Sequence, residues 1–226
     1  MIVAVAGGKG GVGKSTTSLN LAAELGAVAV DADLATPDLP SGSGPDLHDA
    51  LAGRVEPTAA IRTAGSVAVL PAGRSLDGAR AADLGELPRV LARIERKYDR
   101  VVVDCPAGLA RDVGIALLGA DLVVLVTTPD RAALVDALRT DELAAALRTP
   151  VGAAVLNRVG RDRHRELAER LSRRLGATVT PIEEDDAVAD ARAARTPVGE
   201  YAADGAAADA YRSLADRLER AYDRLE

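Results

Sequence analysis

Gly7-Gly8-Lys9-Gly10-Gly11-Val12-Gly13-Lys14-Ser15-Thr16 follows the apolar run Ile2-Val3-Ala4-Val5-Ala6 and opens onto Thr17-Ser18-Leu19-Asn20-Leu21-Ala22-Ala23-Glu24-Leu25. Gly8, Gly13, Lys14 and Ser15 satisfy the phosphate-loop pattern between a strand and a helix. Glycines let successive backbone N–H groups turn toward phosphate oxygens, and the helix N-terminus adds its positive end. Lys14 would neutralise the β and γ phosphates, while the Ser15 hydroxyl offers a hard oxygen to a nucleotide-bound Mg²⁺. The candidate nucleotide-binding residues of the loop are Gly8, Lys9, Gly10, Gly11, Val12, Gly13, Lys14, Ser15 and Thr16.

A dinucleotide fingerprint overlaps the same residues. Gly8, Gly10 and Gly13 fit G-x-G-x-x-G, and Asp31 ends the next apolar run where a ribose-binding acid would stand. That reading has no use for Lys14-Ser15, nor for a second acidic strand end downstream. Such an end exists at Val101-Val102-Val103-Asp104, three β-branched residues and a carboxylate. Paired with a phosphate loop, Asp104 reads as the acid that holds magnesium through its waters.

Lys9 sets the loop apart. Lys9, Lys14 and Lys97 are the lysines of a chain with 28 basic residues, so two of them in one loop mark a place that wants a compact point charge. Lys9-Gly10-Gly11-Val12-Gly13-Lys14-Ser15-Thr16 resembles the deviant phosphate loop of the MinD/ParA family of ATPases. Asp104-Cys105-Pro106-Ala107-Gly108 is similar to the Asp-Ser-Pro-Ala-Gly of MinD proteins. The resemblance implies a Mg²⁺- and ATP-dependent ATPase that forms a homodimer on ATP binding and turns over slowly until an activator or cargo protein engages it. It also implies roles for single residues: Lys9 reaching the partner's nucleotide, Asp33 positioning the attacking water, Asn157 beside Arg158 at the adenine edge, and Pro181, Ile182 and Glu183 near base and ribose. Asp38 departs from the family pattern, since a small polar residue is more common there and an added carboxylate near the γ-phosphate repels it.

Outside these motifs, the 226 residues alternate apolar strand-like runs with helical patterns. This predicts a single α/β domain with a mostly parallel, doubly wound sheet and helices on both faces. Strands are expected at Ile2–Ala6, Ala27–Val30, Val67–Leu70, Val101–Asp104, Leu122–Val126, Val151–Leu156 and Gly176–Thr180. Helices are expected at Lys14–Leu25, Leu47–Leu51, Asp83–Lys97, Arg131–Leu147, Arg163–Leu175, Ala187–Arg195 and Ala206–Leu225. Residues 34–66 otherwise read as loop, marked by Pro37, Pro40, Gly42, Gly44 and Pro45.

The composition excludes several classes. With no Phe or Trp and four Tyr, the core must be aliphatic and a base cannot rely on aromatic stacking. A net charge of −6 argues against a broad nucleic-acid face. The arginine-rich stretch Arg161, Arg163, Arg165, Arg170, Arg173, Arg174 is interleaved with Asp162, Glu166 and Glu169, as on a solvated helix. Cys105 is alone, which rules out an intrachain disulfide or a Cys-x-x-Cys metal site. No run is long enough for a membrane span, and a cytoplasmic protein is expected. The last helix carries an apolar stripe at Tyr211, Leu214, Leu218, Ala221, Tyr222 and Leu225, but its other face is net negative, which argues for docking on the core and against anionic lipid.

Overall fold

The structure is a computed structural model that describes residues 1–160 and 165–225. In the first half, β1 (Ile2–Ala6), α1 (Lys14–Leu25), β2 (Val28–Asp31) and α2 (Leu47–Leu51) lead to β3 (Arg62–Ala64) and β4 (Val67–Leu70). There follow α3 (Leu76–Ala81), α4 (Leu87–Tyr98), β5 (Val101–Asp104) and α5 (Arg111–Leu118). Next come β6 (Leu122–Thr127), α6 (Arg131–Leu147), β7 (Val151–Val159), α7 (Arg165–Leu175) and β8 (Thr178–Glu183). The chain closes with α8 (Asp186–Ala194), α9 (Val198–Tyr201) and α10 (Ala206–Tyr222). Among the described residues eight strands form one sheet in the order β3-β4-β2-β5-β1-β6-β7-β8, parallel except for β3, which runs antiparallel to β4.

Apart from β3, whose residues are half-buried or exposed, the strands are largely buried on both faces, and the period of two decides which face each residue serves. On β1, Val3 and Val5 join a cluster with Leu21 and Leu25 of α1 and with Tyr211, Leu214 and Leu218 of α10. Ile2, Ala4 and Ala6 join the opposite cluster, with Leu91 and Ile94 of α4, Leu117 of α5 and Leu171 of α7. This gives the doubly wound sheet that the alternation predicts. Most of the predicted stripe is spent on this core, with Tyr211, Leu214 and Leu218 each at most 1 % exposed, but α10 ends at Tyr222 and Leu225 beyond it is 51 % exposed.

Several elements differ from their predicted bounds. The helix expected from Asp83 is split: Asp83 accepts a hydrogen bond from the Gly85 amide and caps a 3₁₀ turn at Leu84–Glu86, and α4 proper begins beside Pro88. The last strand is shifted from Gly176–Thr180 to Thr178–Glu183, since Gly176 has φ 64° and makes the turn. Pro181 is tolerated inside it because β8 pairs only with β7 and is the sheet edge. Strand β7 extends through Asn157 and Arg158 to Val159. Arg161, Asp162 and Arg163 of the arginine-rich stretch lie outside the described residues.

Candidate nucleotide site at the carboxyl ends of the strands

Register places the chemistry. Strand β5 lies between β2 and β1, pairing Asp104 with Asp31 on one side and with Val5 on the other. Both carboxylates thus end their strands beside the loop that leaves β1, in the crevice where open α/β sheets hold ligands. A cavity of about 270 Å³ opens beside that loop, and neither carboxylate is part of its wall. Its walls include Gly13, Lys14, Ser15 and Thr16 of the loop and α1, Asp38 and Leu39 of the segment after β2, and Arg158, Arg192 and Arg195 from the far side.

Two glycines shape the loop. A Cβ on Gly8 would lie 2.5 Å from Cβ of Asp136 on α6, so only a bare backbone passes there. Gly13 turns the chain into α1 at φ 104°, and a Cβ on it would meet the Asn157 amide nitrogen at 2.2 Å. Asn157 is itself buried, donating through Nδ2 to the Val12 carbonyl at 2.8 Å and accepting from the Arg158 amide at 3.0 Å. It braces the loop from behind. Arg158 takes φ 54°, which projects its exposed side chain into the cavity wall.

Lys14 is 8 % exposed and reaches back to the Lys9 carbonyl at 3.5 Å, arching over the loop. Lys9 faces outward instead. Its ammonium pairs with Asp130 at 3.2 Å, both side chains about half exposed. Asp130 also caps α6 through the Ala133 amide and accepts from the Thr128 hydroxyl, which with Lys9 lowers its carboxyl to about 2.

Asp104 is the most telling group. It is 1 % exposed, its Oδ1 accepts from the Ser18 hydroxyl at 3.0 Å, and its Oδ2 has no hydrogen-bond partner. Burial pushes its carboxyl up to about 7, against the pull of the Ser15 and Ser18 hydroxyls and the Lys14 ammonium. A buried, orphaned carboxylate oxygen beside a hydroxyl and an ammonium is what a hydrated divalent cation would satisfy. Among the described residues no group of three His, Cys, Asp or Glu side chains could hold a metal alone, so these donors fit Mg²⁺ only in company with phosphate oxygens. Asp31, fully buried, is pushed to about 8 by burial and by the charge of Asp104. Its oxygens accept the amides of Asp33 at 3.2 Å and Leu39 at 3.1 Å, tying down both ends of the segment after β2. Within that segment Asp33 accepts the Thr36 amide and hydroxyl, each at 2.9 Å.

The structure therefore gathers Gly11, Gly13, Lys14, Ser15, Thr16 and Arg158 around one cavity, with Asp104 and Asp33 nearby at the strand ends. Gly8, Gly10 and Val12 carry the loop's backbone: Val12 is buried, and Gly10 sits 3.9 Å, measured from an added Cβ, from Ala107 in the loop after β5. Pro181, Ile182 and Glu183 stand one strand beyond Asn157, and the Ile182 side chain is in the core. Sequence reasoning missed Ser18, the loop-tying use of Asp31, and the arginines Arg192 and Arg195. Ser18 was findable, since it lies four residues after Lys14 on the same helix face; nothing in the pattern of α8 pointed to the arginines.

Comparison with known proteins accords with this geometry. An ATP-binding protein of Methanocaldococcus jannaschii is 38 % identical over 205 residues, 84 % of this chain and 77 % of that protein. The septum site-determining protein MinD of Bacillus subtilis is 32 % identical over 152 residues, 61 % of this chain and 56 % of that protein. The structure of MinD from Pyrococcus horikoshii, complexed with Mg-ADP, superposes with a TM-score of 0.88 over 97 % of this chain and 96 % of its own, at 28 % identity. The family model for the CobQ/CobB/MinD/ParA nucleotide-binding domain matches residues 3–198, and the chain belongs to that family, with the fold of its MinD/ParA ATPases.

Proposed function

We propose that this ATPase binds Mg-ATP in the cavity beside Asp104, pairs with a second copy when ATP is bound, and hydrolyses it slowly, so that the bound triphosphate is the state partners read. The observation that carries the reading is the orphaned Oδ2 of buried Asp104 next to Ser15 and Lys14. Loop amides and Lys14 would hold the phosphates, and Ser15 with Asp104 would hold the metal and its waters. The metal would neutralise charge on the transferring phosphoryl group. Base and ribose belong at the end of the cavity formed by Arg158, next to Asn157 and the run Pro181, Ile182, Glu183.

Two contacts support slow turnover by a lone protomer. Both oxygens of Asp33 are engaged by Thr36, and Lys9 is held by Asp130 on its own subunit. Asp33 must leave Thr36 to orient water, and Lys9 must leave Asp130 to reach a partner's phosphates. Chemistry that depends on positioning waits for both. The same tie on Asp33 favours a nucleotide-switched scaffold with little turnover as the second reading. Calorimetry with Mg-ATP on the wild type and Lys14→Ala, followed by light scattering and phosphate release on Lys9→Ala, tests the set. The expected results are no binding for Lys14→Ala, and binding without pairing or turnover for Lys9→Ala. Unchanged ATP-dependent pairing of Lys9→Ala would refute its cross-subunit role.

A further inference from the structure

We infer that Asp38 is an additional ligand, direct or through one water, of the nucleotide-bound Mg²⁺, so that this chain captures ATP only together with the metal; the inference rests on the Mg-ATP reading above. Asp38 lines the cavity, and its Oδ2 stands 3.5 Å from the Ser15 hydroxyl. That is long for an O–H···O bond, and it needs to shorten only to about 3 Å for the two oxygens to be adjacent ligands of octahedral Mg²⁺. Among the described residues Ser15 is its one polar contact, although Lys14, Arg158, Arg192 and Arg195 all line the same cavity and none makes an ion pair with it. Its place is fixed by its neighbours. Asp31 holds the Leu39 amide immediately after it, and Leu39 is 5 % exposed.

The second, independent pointer is Asp104, whose buried Oδ2 is unpartnered and whose carboxyl also lies beside the Ser15 hydroxyl. A hydroxyl flanked by two carboxylates is a poor place for a bare triphosphate. It is a good place for a divalent cation whose remaining ligands are phosphate oxygens and water. Asp38 then works in two directions: without metal it repels the phosphates, and with metal it contributes an oxygen.

The test is the coupling between metal and nucleotide. ATP affinity is measured by calorimetry in excess EDTA and in excess Mg²⁺, for the wild type and for Asp38→Asn, with Asp38→Ala as a second variant and circular dichroism to confirm folding. In the wild type Mg²⁺ should tighten ATP by a large factor. In both variants the metal-free affinity should rise by about tenfold while the Mg-ATP affinity does not rise, so the Mg²⁺ effect shrinks. Equal gains with and without metal would make Asp38 a repulsive charge and nothing more, and no change in either would place it outside the site; each overturns the inference. A wild type that binds no Mg-ATP overturns the nucleotide reading, and this inference with it.

Discussion

A methyl group on Gly13 would collide with the Asn157 amide in a backbone region where L side chains are strained, so Gly13→Ala should cost about 1–3 kcal/mol of stability and most nucleotide affinity. Urea denaturation with and without Mg-ATP reads both losses. Asp31 makes a prediction about pH. Its folded carboxyl titrates near 8 and a free aspartate near 4, so the native state keeps a proton the unfolded chain has lost. Its contribution to stability is complete below about pH 4 and is lost as pH rises toward about 8. Asp31→Asn does not ionise, and its melting temperature should gain on that of the wild type from about pH 5 to about pH 8. Parallel melting curves would show that Asp31 is ionised throughout. Asp104 has the same sign at about 7, so Mg-ATP should bind more tightly as pH rises through neutrality, since the metal wants the ionised carboxylate.

At the scale of elements, α10 shows what its apolar stripe is for. Leu218 is fully buried against the core, and Leu218→Ala should cost about 2–5 kcal/mol in chemical denaturation. Sedimentation with anionic vesicles should show no binding by the wild type; wild-type binding would mean that the helix leaves its dock. The elements also show what was legible. Strands such as Val101–Asp104 announced themselves because parallel strands are apolar on both faces. Arg62–Ala64 could not be read, being three residues with no apolar pattern, and α3 and α9 are too short to show a period. Helix α5 could not be read either, because Gly114 interrupts its eight residues and Gly119 ends them abruptly. The site was legible where covalent spacing alone defines it, in the loop and at the two strand ends. It was not legible where it depends on elements far apart in sequence, as with Asn157 against Val12 or Arg192 in the same cavity wall as Thr16.

Over the whole molecule, a net charge of −6 coexists with cations gathered in one cavity. Two copies repel at a distance, and salt screens that repulsion well before it breaks partly buried contacts. ATP-dependent pairing should therefore strengthen between about 0.01 M and about 0.15 M salt, as followed by light scattering. Steady weakening over that range would mean that short-range attraction between Lys9 and phosphate outweighs the body charge. The sheet also limits one way in which copies could meet, by strand pairing at its borders. One border is a strand of three residues running against its neighbour, and the other carries a proline. Neither offers a template on which another chain could continue the ladder. Growth into fibres by strand addition is discouraged at both margins, so the ladder that holds this molecule together stops with it.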